Sequence, residues 1–403
     1  MLDLKSIKEA QERLCGVIHH TPFSYAPILS EMSGYEVYLK KENLQRTGAF
    51  KLRGAFNKIA TLIEAGKRGG VVAASAGNHA QGVAFSAKHF DIEATIVMPE
   101  STPLNKIQGV REFGAKVILH GANYDEAYAY AMEYTKENKL EFVHPFTDDE
   151  VMSGQGTVAI EMLEEVPNLD AIIVPVGGGG LIAGMGVATN ALNPKTKIIG
   201  VASAGAPAMK ESYDSKKAHG TKSVRTIADG IAVRDASPIT LEHILKEVYS
   251  LELVCEDEIA AAILFLLEKQ KLLVEGAGAV GVAALLHDKI NLEKDSKVGI
   301  VLSGGNIDVT MLSLIIEKGL VKSSRKMKLS VIMVDKPGSL MKFTELLTKV
   351  GANIVHIGYD RTSIELEFGD AVVSVYLETK GIEHQEEVRT VLKENGFKFE
   401  ELS

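Results

Sequence analysis

A lysine beside an aromatic ring in a run of small and apolar residues is the first feature of this sequence that suggests chemistry: Thr47-Gly48-Ala49-Phe50-Lys51-Leu52-Arg53-Gly54-Ala55. Desolvation disfavours the ammonium form, so a lysine held in such a setting presents the neutral amine that Schiff-base formation with a carbonyl requires. Alone, a lysine is far more often a solvated surface charge. Three other segments change that weighting. Ser75-Ala76-Gly77-Asn78-His79 follows an apolar strand and opens a helix; the unpaired N–H groups and dipole of a helix start suit a carboxylate. Its plain alternative is an asparagine cap with His79 merely packed. Gly177-Gly178-Gly179-Gly180-Leu181 follows a second apolar strand, and four consecutive glycines let several N–H groups close around a phosphate. The run lacks the Lys-Ser/Thr of a P-loop and the ordered GxGxxG of a dinucleotide site, so a singly phosphorylated cofactor fits best. Ser303-Gly304-Gly305-Asn306 ends a third strand, where a serine hydroxyl can meet a ring nitrogen or simply cap the next helix.

The elements needed to position these groups are legible in the pattern. Short β-branched runs at Val71–Ala74, Ala94–Val97, Lys116–Leu119, Ala171–Val174, Ile198–Val201 and Val298–Leu302 alternate with helical segments such as Asn78–His89, Tyr124–Glu137 and Leu181–Ala191. That alternation predicts an α/β fold with mostly parallel sheets. Several strands lack polar alternation, so both faces are expected to be buried. Each of the four segments falls at the end of such a strand or the start of a helix, and because ligands in such sheets collect at the carboxyl ends of the strands, the segments are expected to converge on one site.

After Leu320 the composition changes. A basic, polar stretch, Val321-Lys322-Ser323-Ser324-Arg325-Lys326, reads as a linker, and the order beyond it is strand, helix, strand, strand, helix, strand. This is a ferredoxin-like βαββαβ arrangement, with a sheet edge open to pairing with another copy.

Composition narrows the function classes. With 46% hydrophobic and 24% charged residues, the chain reads as globular rather than disordered. A net charge of -9 without a basic patch argues against nucleic acid as a partner. Cys15 and Cys255 lie far apart without CxxC spacing, so neither a disulfide framework nor a thiolate metal site is expected. The N-terminus does not have the pattern of a secretory signal, and the longest apolar runs fall short of a membrane span. A cytoplasmic location and no membrane partner are the expectation.

In their order and across nearly the whole chain, the segments resemble the fold-type II pyridoxal-phosphate family, most closely threonine dehydratases (threonine ammonia-lyases) joined to a C-terminal ACT domain. The resemblance implies a two-subdomain catalytic domain over 1–320, its smaller subdomain at roughly 45–150. A linker at 321–328 and an ACT-like regulatory domain over 329–403 would follow. It implies pyridoxal 5'-phosphate as cofactor, held by Lys51 as a Schiff base with Phe50 beside it. Asn78 would contact the phenolic oxygen, Gly177 to Leu181 the phosphate, Ser303 the pyridine nitrogen, and Glu275 would lie near the cofactor. Ser75, Ala76, Gly77, Asn78 and His79 would hold the substrate carboxylate.

The implied reaction is loss of the β-hydroxyl of threonine, secondarily of serine, to give ammonia and a 2-oxo acid. Serine racemases of the family use a serine before the Gly-Asn-His as a second proton carrier; Ala76 stands here, which disfavours racemisation. Some relatives bind a cation through a glutamate where this chain has Ala202, so no metal is expected. A serine dehydratase or racemase and an inactive amino-acid sensor are the competing readings. The turn Asp335-Lys336-Pro337-Gly338-Ser339-Leu340 resembles the ACT signature. Asp335, Pro337, Gly338, Ser339, Leu340 and Asn353 would then bind an isoleucine or valine effector, the bland alternative being a tight turn serving dimerisation alone. A homodimer or homotetramer is expected, in either isoleucine synthesis or threonine breakdown.

Overall fold

Strands that are apolar on both faces need helices on both sides, and the computed structural model places them so. It describes residues 1–402 except 363 and 365, and the chain divides into two compact units, Met1–Asp308 and Val309–Ser403.

The first unit holds two sheets. The larger has the order Phe23–Tyr25, Glu36–Lys40, Lys297–Val301, Ala171–Pro175, Lys197–Ser203, Ser250–Val254, parallel except for its first pair. Ala171–Pro175 is buried at every residue, as the absence of polar alternation predicts. The smaller sheet, Lys116–Leu119, Ala94–Met98, Val71–Ala74, Glu141–Phe142, is wholly parallel. The helices Asn78–His89 and Tyr124–Glu137 have the expected bounds. Separate apolar cores form around Ile172, Val174 and Ile182 under the larger sheet and around Val71, Ile96 and Ile107 under the smaller.

The second unit is a four-stranded antiparallel sheet in the order Asn353–Asp360, Asp370–Glu378, Lys326–Val334, Lys398–Glu401. Two helices, Ser339–Lys349 and Ile382–Glu394, complete the ferredoxin-like order, and their buried Phe343, Leu347, Val388 and Leu392 share a core with the inward residues of the strands. One boundary differs from expectation. The stretch 321–328 is not a loose linker: Val321 and Lys322 end the helix Val309–Lys322, and Lys326 already begins a strand. The basic residues concealed it. Met327 points into the core while the Lys328 ammonium lies over the Tyr376 ring, 5.2 Å from its centroid, so a strand with lysines on its open face looks like linker composition.

Candidate active site

The carboxyl ends of the parallel strands in the two sheets of the first unit face one cavity of about 620 Å³, and the predicted catalytic, cofactor and substrate residues all line it. Lys51 is the first residue of the helix Lys51–Glu64 and donates from Nζ to the Pro145 carbonyl at 2.9 Å. Its ammonium lies 5.3 Å from the centroid of the Phe50 ring. Burial pushes the Lys51 amine down to about 8, the Glu275 carboxylate opposing. A substantial neutral fraction is therefore present near physiological pH.

Asn78 opens the helix Asn78–His89, and its side chain does not cap that helix, whose N-cap is Gly77. Instead its amide donates to Glu275 Oε1 at 2.7 Å while its Oδ1 accepts from the Asn306 amide at 2.7 Å. Asn306 also donates to the Thr47 carbonyl at 2.8 Å. A chain of side-chain amides thus joins the Lys51 loop, the Ser75–His79 loop and the segment after Ser303. Burial and the Asp229 charge push Glu275 up to about 7, the Asn78 hydrogen bond opposing.

His79, buried, has Nε2 2.8 Å from the Val143 carbonyl, which makes Nε2 the protonated nitrogen. His144 accepts from the N–H groups of Phe146 and Thr147 through Nδ1, at 3.2 and 3.0 Å. Burial first, then the Lys51 charge, lowers both imidazoles, to about 3 and about 4. Neither competes with Lys51 for a proton near neutrality.

The four glycines are explained partly by protein packing. A Cβ on Gly178 would stand 2.5 Å from the Phe146 ring, and one on Gly177 2.7 Å from the Ile231 Cα. The turn ends at the helix Gly180–Leu192, whose first N–H groups have no carbonyl within the helix, an arrangement that suits an anion. Ser303, 2% exposed, lies at the end of the strand Lys297–Val301, with its carbonyl accepting from Phe50 N–H at 3.0 Å. An amine, an anion cradle and a buried hydroxyl in one cavity are the groups that a carbonyl-bearing, monophosphorylated ring needs, so the residues present fit pyridoxal phosphate.

Among the cavity residues not singled out from the sequence are His144, Pro145 and Phe146. They follow the two-residue strand Glu141–Phe142, too short to register as one, yet at a carboxyl edge where the topological rule would have placed a ligand contact. Among the described residues, no group of three or more His, Cys, Asp and Glu side chains is arranged to hold a metal ion.

Of the residues read as effector contacts, Asp335 accepts from the Tyr359 hydroxyl at 2.7 Å and pairs with Arg361 at 3.4 Å. Gly338, at φ +93°, precedes the helix Ser339–Lys349, with Pro337 and Leu340 exposed beside it. Asn353 is elsewhere. It pairs with Glu378 at one end of the sheet, whereas Val334 pairs with Asp370 at the other, so the two groups stand about 26 Å apart along the strands.

The capture of cofactor by Lys51 has a pH signature. An amine attacks only when neutral, so reconstitution of the stripped protein with pyridoxal phosphate should slow about tenfold per unit below the amine's value of about 8, and level off above it. Stopped-flow absorbance between about pH 6 and about pH 9 checks this; a flat profile would contradict the buried amine.

The fold and cavity define an α/β enzyme class that binds a phosphorylated carbonyl cofactor between two mostly parallel sheets. The family described as pyridoxal-phosphate dependent enzyme matches residues 14–304. The L-threonine ammonia-lyase of Thermotoga maritima is 48% identical over 397 residues, covering 98% of both chains. Among solved structures, maize serine racemase matches with a TM-score of 0.75 and 36% identity, over 80% of this chain and 98% of that one. The processed form of threonine deaminase isoform 2 from Solanum lycopersicum matches with 0.74 and 36%, over 78% and 86%. The chain belongs to the pyridoxal-phosphate dependent enzyme family. No helix among its described residues is long and apolar enough to cross a membrane.

Proposed function

We propose that this chain is a threonine ammonia-lyase, converting L-threonine to 2-oxobutanoate and ammonia, with L-serine to pyruvate as a secondary reaction. The carrying observation is the joint placement of Lys51, the Ser75–His79 loop, the tetraglycine and Ser303 around one cavity. Near-full-length similarity to the Thermotoga enzyme supports the substrate. When bound, pyridoxal phosphate supplies a conjugated ring that stabilises negative charge at the substrate α-carbon.

The chain's own residues do the rest. N–H groups opening the helix Asn78–His89 hold the substrate carboxylate and so orient its Cα–H bond. The Lys51 amine, neutral in part near pH 7 and steered by the Pro145 carbonyl, takes the α-proton. Asn78, fixed on both sides by Glu275 and Asn306, presents its amide to the cofactor without rotating. Ser303 would offer the ring nitrogen of a bound cofactor a neutral hydroxyl instead of a carboxylate, a partner that does not enforce protonation there. Ala76 lines the cavity with a methyl group, so no second proton carrier stands where racemases place a serine.

The test is direct: incubation with L-threonine, L-serine and D-serine, following 2-oxobutanoate, pyruvate and chiral serine. Threonine turnover with negligible serine racemisation supports the reading. A protein that binds cofactor yet forms no 2-oxobutanoate defeats it.

The second unit serves, in this reading, as an ACT regulatory domain for isoleucine or valine. Because the Asp335–Leu340 turn and Asn353 lie at opposite ends of one sheet, a site using both takes them from two copies, consistent with a homodimer or homotetramer. The edge strand Asn353–Asp360, with Ile357 and Tyr359 exposed, supports such pairing. Deleting the chain after Lys322 should leave threonine turnover within about threefold while abolishing any shift in KM caused by isoleucine or valine. An unchanged response in the truncated protein would remove the second unit as the sensor.

A further inference from the structure

Behind the Lys51 helix lies a group of charges that the reaction itself does not use. Lys40, Glu42 and Arg53 are fully buried, and Glu161 is 5% exposed. Arg53 spends all five of its N–H donors there. Nε and Nη2 reach Glu42 at 2.9 and 2.7 Å, Nη1 and Nη2 reach Glu161 at 2.6 and 2.9 Å, and Nη1 also reaches Thr157 Oγ1 at 3.1 Å. Lys40 completes the group, 2.6 Å from Glu161 and 2.7 Å from the Thr21 carbonyl, and the Thr21 hydroxyl donates to Glu42. Burial alone would raise the Glu161 carboxyl, but Arg53 and Lys40 bring it below its ordinary range.

Buried ion groups of this kind rarely add stability over apolar residues of the same volume; what they add is direction. A planar fork engaged by two carboxylates fixes its own rotation as well as its position. Residues two apart on a helix point about 200° from each other. Arg53 therefore faces the short turn Glu42–Leu44, just beyond the strand Glu36–Lys40, and the helix Asp149–Glu165, while Lys51 faces the cavity. The same group reaches Ser303 by another route: Lys40 pairs with Val301 in the larger sheet, and its carbonyl accepts from Leu302 N–H at 2.9 Å. Close contact between helices reinforces the clamp. A Cβ on Gly154 would lie 2.5 Å from the Arg53 carbonyl, and the Asn57 amide donates to the Glu150 carbonyl at 2.7 Å.

We infer that the buried quartet Lys40, Glu42, Arg53 and Glu161 is a positioning device that aims the Lys51 amine and sets its place relative to Ser303. The inference rests on Lys51 being the Schiff-base lysine. Arg53→Lys keeps the charge but cannot span both carboxylates, so the first turn of the helix is free to rotate.

In the full-length holoenzyme, Arg53→Lys should lower kcat on L-threonine about 10- to 100-fold with KM within about threefold, the scale expected for a misplaced reacting group. In the same chain stripped of cofactor, the pH midpoint for acetylation of Lys51, read by mass spectrometry, should move from about 8 toward the ordinary lysine value as the amine reaches water. A purely structural cluster would lower the melting temperature and leave both readouts where they were; that result overturns the inference. If Arg53→Lys does not fold, Glu161→Gln, which keeps Glu42 on Arg53, carries the same two measurements. Full activity in Lys51→Ala would instead defeat the Schiff-base reading, so the two failures are distinguishable.

Discussion

Lys51→Ala should reduce threonine turnover by at least about 10³-fold, the scale on which removal of a group that both anchors a cofactor and moves a proton is felt. The loss should come with no loss of fold. Lys51 donates to Pro145, and an alanine removes an amine whose burial is unfavourable. The melting temperature is thus expected to stay within a few degrees, roughly what a change below 1 kcal/mol produces. Borohydride reduction followed by peptide mass analysis should attach cofactor to Lys51 in the wild-type chain and to no residue in the variant. Turnover above about a tenth of wild type would rule out the assigned role.

The second large effect is expected at the phosphate cradle. In Gly178→Ala the new Cβ falls 2.5 Å from the Phe146 ring, inside any real carbon contact, so the ring or the turn must give way. Phe146 is itself confined, its carbonyl standing 2.8 Å from where a Cβ of Gly180 would lie. Overpacking of this order costs about 1–3 kcal/mol. Placed at the anion site, it should appear as a 5- to 150-fold weaker affinity for pyridoxal phosphate, measured by titrating the stripped protein. Gly205, which does not line the cavity and whose Cβ would meet the Arg225 carbonyl at 2.0 Å, serves as the control: Gly205→Ala should lower stability without selectively lowering cofactor affinity. Equal affinities for Gly178→Ala and wild type would mean that the tetraglycine does not shape the cradle.

The parts of the site that were legible in the sequence share a physical cause: each required an unusual local composition. Four glycines in a row, a Gly-Asn-His at a helix start and a Ser-Gly-Gly after an apolar strand are costly or uninformative unless backbone must approach something closely. The residues that were not legible act through ordinary side chains brought from far away. Pro145 contributes a backbone carbonyl, which no residue type advertises, and His144 and Phe146 follow a strand of two residues. Arg53 was quoted beside Lys51, yet its partners stand 11 and 108 residues away in the chain. The basic strand start at Lys326–Lys328 was hidden because lysine stems on an open sheet face look the same as a solvated linker.

What the sequence determined alone was the list of chemical groups and the class of fold, because apolar runs without polar alternation require a doubly covered parallel sheet and glycine runs require close backbone approach. Only the tertiary structure decided how those groups act. It made Asn78 the link between Glu275 and Asn306, placed Asn353 away from the Asp335–Leu340 turn, and set four buried charges behind Lys51. These outcomes depend on distance and direction between segments remote in sequence, and burial turns such geometry into the strength of a hydrogen bond or the charge state of an amine.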